Sequence, residues 1–218
     1  AITNLEDINS LAPNIKVKPE TGNIFDIGTK FTVGRVSGGV YGFVNQYQNF
    51  IAQDQVVATN SSGPLAQTTN FSDVRIGGVE ANAMAPMIFR PGVLTLTGSV
   101  AYTRGTVLKG TDPSTGASLV NTPADDITPF KFVGSARFTD VRSRFWMEYG
   151  VRSQAKVNRV AATFLSSPFL IPQDLMALDA ITVQRAAAGI NLTQGAHHAR
   201  LTFAVENLAD KYYREQFQ

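Results

Sequence analysis

The chain has 218 residues, 17% of them charged and 44% hydrophobic, with 19 Lys and Arg against 17 Asp and Glu for a formal net charge of +2. Soluble domains carry roughly 25% charged residues, so ionic side chains are scarce here, and the near balance of signs excludes a general drive toward phosphate backbones: no nucleic-acid partner is expected. The absence of Cys excludes disulfides and thiolate chemistry, while the longest nearly apolar run, 83–89, is broken by Pro86 and falls far short of the roughly 20 residues of a membrane helix, which leaves strands as the only way to span a bilayer.

Apolar residues recur with period two in segment after segment. From Ile24 to Val33, Phe25, Ile27, Phe31 and Val33 share one face and Asp26, Lys30 and Thr32 the other. Gly dilutes the pattern over Ser37 to Phe50. Val79, Ala81, Ala83 and Ala85 then oppose Glu80, Asn82 and Met84. Val93 to Thr103 alternates most cleanly, with Leu94, Leu96, Val100 and Tyr102 against Thr95, Thr97, Ser99 and Thr103. Lys131 to Thr139 is weaker. Phe145, Met147, Tyr149 and Val151 oppose Glu148, Arg152 and Gln154; Ile181 to Leu192 is diluted by Ala; and Leu201, Phe203 and Val205 oppose Thr202, Ala204 and Glu206. The expectation is all-β: about eight antiparallel strands of a transmembrane β-barrel.

Between these segments, short connections (Gly34-Arg35, 86–92, 140–144, 193–200) alternate with long polar ones (52–73, 104–128, 158–179). Outer-membrane barrels sort their loops this way, with tight turns at one rim and long loops at the other. Phe25, Tyr41, Tyr102, Phe138, Phe145 and Tyr149 are expected in the aromatic girdles of such a barrel; in a soluble β-sandwich the same residues would form the core.

Chemistry-bearing motifs are few. No nucleophile elbow, phosphate loop or dinucleotide fingerprint occurs, and the two histidines, His197 and His198, are adjacent and so lack the spacing of a helical metal pair. Neither an enzyme nor a cofactor or metal site is expected. Lys30, Glu80, Glu148 and Arg152 fall on the polar side of their strands. They are the candidates for lining a solute path, the alternative being that they satisfy one another and lumen water.

Four strings carry a family resemblance. Val17-Lys18-Pro19-Glu20-Thr21-Gly22 followed by Phe25-Asp26-Ile27-Gly28 and Lys30-Phe31 resembles the start of a barrel strand in TonB-dependent outer-membrane receptors. Gly78-Val79-Glu80 and Tyr102-Thr103-Arg104-Gly105 are similar to a strand start and strand end there. Ala204-Val205-Glu206-Asn207-Leu208-Ala209-Asp210-Lys211-Tyr212-Tyr213 resembles the signature of the penultimate strand. The resemblance implies that residues 1–218 are the C-terminal portion of a probable 22-stranded barrel, with the plug domain, earlier strands and last strand not in this chain. It further implies a bacterial outer-membrane location, contact with outer-membrane lipid, coupling to TonB through a missing N-terminal region, and energised uptake of an extracellular solute such as a ferric siderophore, cobalamin or an oligosaccharide. A small porin-like or structural barrel without TonB coupling is the alternative.

Overall fold

The computed structural model describes residues 11–60, 63–112, 116–124, 127, 130–157, 178–194 and 197–213. The alternating segments become strands: β1 (Leu11–Ala12), β2 (Thr21–Val33), β3 (Val36–Asn60), β4 (Gly63–Phe89), β5 (Gly92–Gly110), β6 (Phe130–Asp140), β7 (Phe145–Gln154), β8 (Ile181–Gln194) and β9 (His197–Val205). They form a single nine-stranded sheet in which β2 to β9 lie side by side in chain order, each antiparallel to the next. The short β1 pairs parallel with β4 at Ala66 and Gln67. β2 and β9 are the outer strands and do not pair with each other, so the sheet is open.

The pairing register assigns every residue to a face, because side chains alternate along a strand and directly paired residues share a side. One row runs Lys30, Gly39, Asn82, Ser99, Val133, Arg152 and Val183 across seven strands. Its neighbour runs Gly28, Tyr41, Glu80, Ala101, Lys131, Gln154 and Ile181. This is the polar face. The other face carries Phe25, Ile27, Val79, Leu96, Met147, Tyr149 and Phe203, and nothing among the described residues covers it: Ile27 is 81% exposed and Phe203 68%. A continuous apolar surface of this kind is far larger than a soluble monomer leaves in water. Of the six expected girdle aromatics, Tyr41 is on the polar face, paired with Gly28 and Glu80. The other five are on the apolar face, where Phe138 lies 6.2 Å from Phe89 and 5.8 Å from Phe145 at the short-turn end.

Two of the short turns carry visible local chemistry. Gly34 adopts φ 61°, which costs glycine nothing. Asp140 clasps the β6–β7 turn: its Oδ1 accepts the Phe145 N–H at 2.8 Å and its Oδ2 the Arg142 N–H at 3.2 Å.

The expected loop sorting is modified at the start of 104–128, where β5 runs on to Gly110, and in three further places. The segment 52–73 is not a loop: β3 and β4 run on as a paired hairpin of 25- and 27-residue strands, with Asn60 opposite Gly63. Its polar composition reads as loop because both faces leave the apolar region, so no alternation marks the pairing. β bulges interrupt the ladder there, and Asn49 takes φ 56°. Second, β4 continues through Pro86 to Phe89; β3 stops pairing with β4 at Met84, so Pro86 is flanked by β5 alone, where a missing N–H is tolerated. Third, β8 extends to Gln194 and β9 begins at His197, shortening that connection. Residues 158–177 of the last expected long loop lie outside the described residues; Val157 and Leu178 bridge its base.

The tightest packing lies beyond the apolar face, at the long-connection end. Val74, Val107, Leu119 and Ala124 form a buried cluster, joined by Phe50, Ile76 and Ile127. Val74 and Ile76 share the face of Glu80, and Val107 and Gly105 stand opposite them. The described part of the β5–β6 connection therefore folds back along β5 as a strap whose Leu119 and Ala124 side chains join that cluster on the polar face. Its backbone continues the ladder, with Leu119 N–H to Gly110 O at 3.0 Å, Val107 N–H to Thr122 O at 3.0 Å and Asn121 N–H to Val107 O at 2.9 Å. Gly105 allows this approach: a Cβ there would lie 2.7 Å from both Ala124 Cβ and Ile127 Cγ1.

Candidate functional site

All four sequence candidates stand on the polar face, but the structure divides them. Glu148 is the centre of an ion-pair chain across four strands. Arg137 Nη1 on β6 reaches its Oε2 at 3.3 Å, Arg185 Nη1 on β8 its Oε1 at 2.7 Å, and Arg185 Nε then meets Glu206 Oε1, just past β9, at 2.6 Å. With both oxygens engaged and its side chain 17% exposed, Glu148 is committed to the wall itself. Charge-assisted contacts of this alternating kind hold neighbouring strands in register without leaving an unpaired ion.

Trp146 supports one end of the chain. Its indole lies flat over its cross-strand partner Gly189, where a Cβ would come within 2.5 Å of Nε1, and the Arg137 guanidinium sits 3.9 Å from the ring centroid on the same tryptophan. The ring is buried and orients Arg137 by a cation–π contact. Arg152 is taken up differently: its Nη2 donates to Tyr213 Oη at 3.4 Å, and its guanidinium lies 5.8 Å from that ring. Tyr213 is carried there by the turn after β9, where the Asn207 side chain accepts the Lys211 N–H at 3.1 Å and donates to the Lys211 carbonyl at 3.0 Å, and the Leu208 N–H bonds Gln184 O.

Lys30 and Glu80 are exposed and make no hydrogen bond or ion pair among the described residues. They stand in adjacent rows on β2 and β4, with Gly39 and Tyr41 of β3 between them. Ser99, Thr97 and Ser135 lie toward the ion-pair chain, and the Thr97 and Ser135 hydroxyls are bonded at 2.7 Å. The polar face thus has an ion-paired half, β6 to β9, where the buried Trp146 Nε1 and Gln154 Nε2 still lack a hydrogen-bond partner among the described residues, and a half, β2 to β4, where Lys30 and Glu80 are uncommitted. Sequence reasoning missed Arg137, Arg185, Glu206, Trp146 and Tyr213. Arg137 and Arg185 sit in the two Gly- and Ala-diluted strands whose facing is weakly marked. Among the described residues no group of His, Asp or Glu is arranged to hold a metal ion.

An open antiparallel sheet with one greasy and one polar face matches known proteins over nearly its whole length. The profile described as TonB dependent receptor-like, beta-barrel, matches residues 4–208. The chain belongs to the TonB-dependent receptor β-barrel family. Its apolar face is accordingly the lipid side and its polar face the lumen side of a bacterial outer-membrane barrel wall.

Solved structures agree in fold. The copper transporter OprC is 21% identical with a TM-score of 0.67, over 91% of this chain and 27% of that one. The FrpB iron transporter from Neisseria meningitidis (F3-3 variant) is 14% identical with a TM-score of 0.66, over 93% and 29%. The outer membrane transporter YddB from Escherichia coli is 11% identical with a TM-score of 0.65, over 93% and 30%. The receptor segment thus spans less than a third of the length of these structures. A search of curated proteins finds no match.

Proposed function

We propose that this segment is the C-terminal part of the wall of a TonB-coupled transporter that takes up a bulky, scarce solute, such as a ferric siderophore, cobalamin or an oligosaccharide. The observation that carries the reading is the family match over residues 4–208 of a sheet with one lipid-type and one polar face. The free edges of β2 and β9 support further strands on both sides, because unpaired backbone groups are costly in hydrocarbon. The Asn207-Leu208 turn after β9, in its place behind a lipid-type strand, supports a position near the end of the barrel. Two of the structural neighbours are named as copper and iron transporters, which favours a metal-bearing solute.

In this reading Lys30 and Glu80 face the solute path, whereas Glu148 and Arg152 brace the wall. The test is uptake of labelled ferric siderophore, cobalamin, copper or maltodextrin by cells carrying the full-length receptor, with and without TonB. Uptake of one of these that stops without TonB and is slowed several-fold by Lys30→Gln with Glu80→Gln supports the proposal. Passage that persists without TonB overturns it in favour of a porin-like barrel.

A further inference from the structure

The outward, lipid-side face ends at the long-connection end in a polar collar whose charges are one-sided. The last apolar row of β2 to β5 holds Phe25, Val44 and Gly77, and Arg104 completes it on β5; the next row is Asn23, Gln46, Arg75 and Thr106. Since Arg75 pairs with Thr106 and Arg104 with Gly77, the two arginines are diagonal neighbours on adjacent strands, with Cβ atoms roughly 7 Å apart. Both are exposed, and among the described residues neither side chain has an ion pair or hydrogen bond. Lys109 is on the same face one row further out, opposite Asp73, whose Oδ1 accepts the Asn49 N–H at 3.3 Å. Among the described residues of these strands the collar thus sets Arg75, Arg104 and Lys109 against the Asp73 carboxylate. Just inside it lies Tyr102, 51% exposed, with Phe130 opposite it on β6, the amphipathic layer that marks the boundary between hydrocarbon and headgroups.

Two exposed arginines at diagonal positions, with no ion pair among the described residues, put like charges close together at a headgroup boundary, a repulsion that a bridging anion relieves. Each presents a planar fork of donors suited to tetrahedral oxyanions. We propose that Arg75 and Arg104 dock the phosphate of a glycolipid headgroup in the leaflet on the long-connection side, with Gln46 and Thr106 beside it as neutral hydrogen-bonding groups. The occupant is a membrane lipid rather than a free ion, because the pair stands directly above the lipid-covered face and beside the boundary aromatics, where an acyl chain has apolar wall to lie on. This is a site on the outside of the wall, separate from any solute path. On the opposite rim Arg35 and Arg90 sit singly on separate turns, and of the two arginines on the β6–β7 turn, Arg142 and Arg144, the second is paired with Asp140 at 3.6 Å.

The experiment uses delipidated full-length receptor in neutral detergent, titrated with lipid A, dephosphorylated lipid A or inorganic phosphate and read by native mass spectrometry. Lipid A is expected to bind the unmodified receptor about tenfold or more tightly than the Arg75→Gln/Arg104→Gln variant, with Arg35→Gln/Arg90→Gln within about twofold of the unmodified receptor. Arg75→Lys/Arg104→Lys, which keeps the charge and loses the forks, is expected in between, and serves if the glutamine variant does not fold. Equal lipid A binding by the glutamine variant, or by the lysine variant where that stands in, overturns the site. Equal binding of dephosphorylated lipid A removes the phosphate from it, and inorganic phosphate binding as tightly as lipid A removes the lipid.

Discussion

Replacing Leu96 with Arg tests the facing of the whole sheet. On β5 the lipid-side residues run from Leu94 to Tyr102, which at about 3.4 Å per residue is roughly 27 Å along the strand. A strand tilt of about 40° turns that into an apolar thickness near 21 Å. Its middle is Gly98, so Leu96 lies roughly 5 Å from the midplane. An Arg on the lipid side costs about 2 to 4 kcal/mol at the midplane and about 0 to 1 at the interfaces, which places Leu96→Arg, about halfway between, at about 1 to 2.5 kcal/mol. The neighbouring Thr97→Arg puts the same charge on the lumen side. It removes only the 2.7 Å hydroxyl contact from exposed Thr97 to half-buried Ser135, a loss of about 1 kcal/mol or less. Urea titration of the full-length receptor folded in lipid vesicles, followed by tryptophan fluorescence and gel mobility, measures both. Equal losses for the two variants, or a larger one for Thr97→Arg, would refute the register.

Other expectations follow from the site and the strap. Leu119→Ala opens a cavity among Val74, Val107 and Ala124; at about 2 to 5 kcal/mol of lost packing, hydrogen exchange at the Val107, Leu119 and Asn121 amides accelerates by about 30-fold or more while the β6–β9 ladder is unchanged, and unaltered exchange rejects the strap. Glu148→Gln leaves Arg137 and Arg185 without their shared carboxylate and lowers the denaturation midpoint more than Glu206→Gln, whose carboxylate bonds Arg185 alone; the reverse order contradicts the chain's centre. Gly189→Val drives a side chain into Trp146 and destabilises by about 1 to 3 kcal/mol, with a shift in tryptophan emission; a silent substitution shows that the ring does not lie on the glycine.

How much of this was legible depended on which solvent each face meets. Val93 to Thr103 announces itself because lipid selects Leu94, Leu96 and Tyr102 on one side and the lumen selects Thr95, Thr97 and Ser99 on the other. The same contrast placed Lys30, Glu80, Glu148 and Arg152 together on one face. Where the strands run on past the lipid-covered zone, as in 52–73, no lipid selects an apolar side, so they lose their alternation and read as loop. Tyr41 was misplaced for a related reason: an aromatic on a Gly-rich strand carries no marker of side, and only its pairing with Gly28 and Glu80 turns it inward. The division between a committed Glu148 and an uncommitted Glu80 was beyond the sequence, since it depends on strands more than thirty residues apart bringing Arg185 to Glu148.

The strap over Val74 and Val107 means that the wall is built for two solvents at once. Its lipid-covered portion has no interior of its own and is held by a surrounding medium. The portion beyond the membrane carries a small water-excluding core made from its own side chains. Detergent or lipid exchange should therefore perturb one end of the same strands and leave the other intact, so that β4 and β5 each melt in two halves, the first governed by the bilayer and the second by heat and denaturant alone.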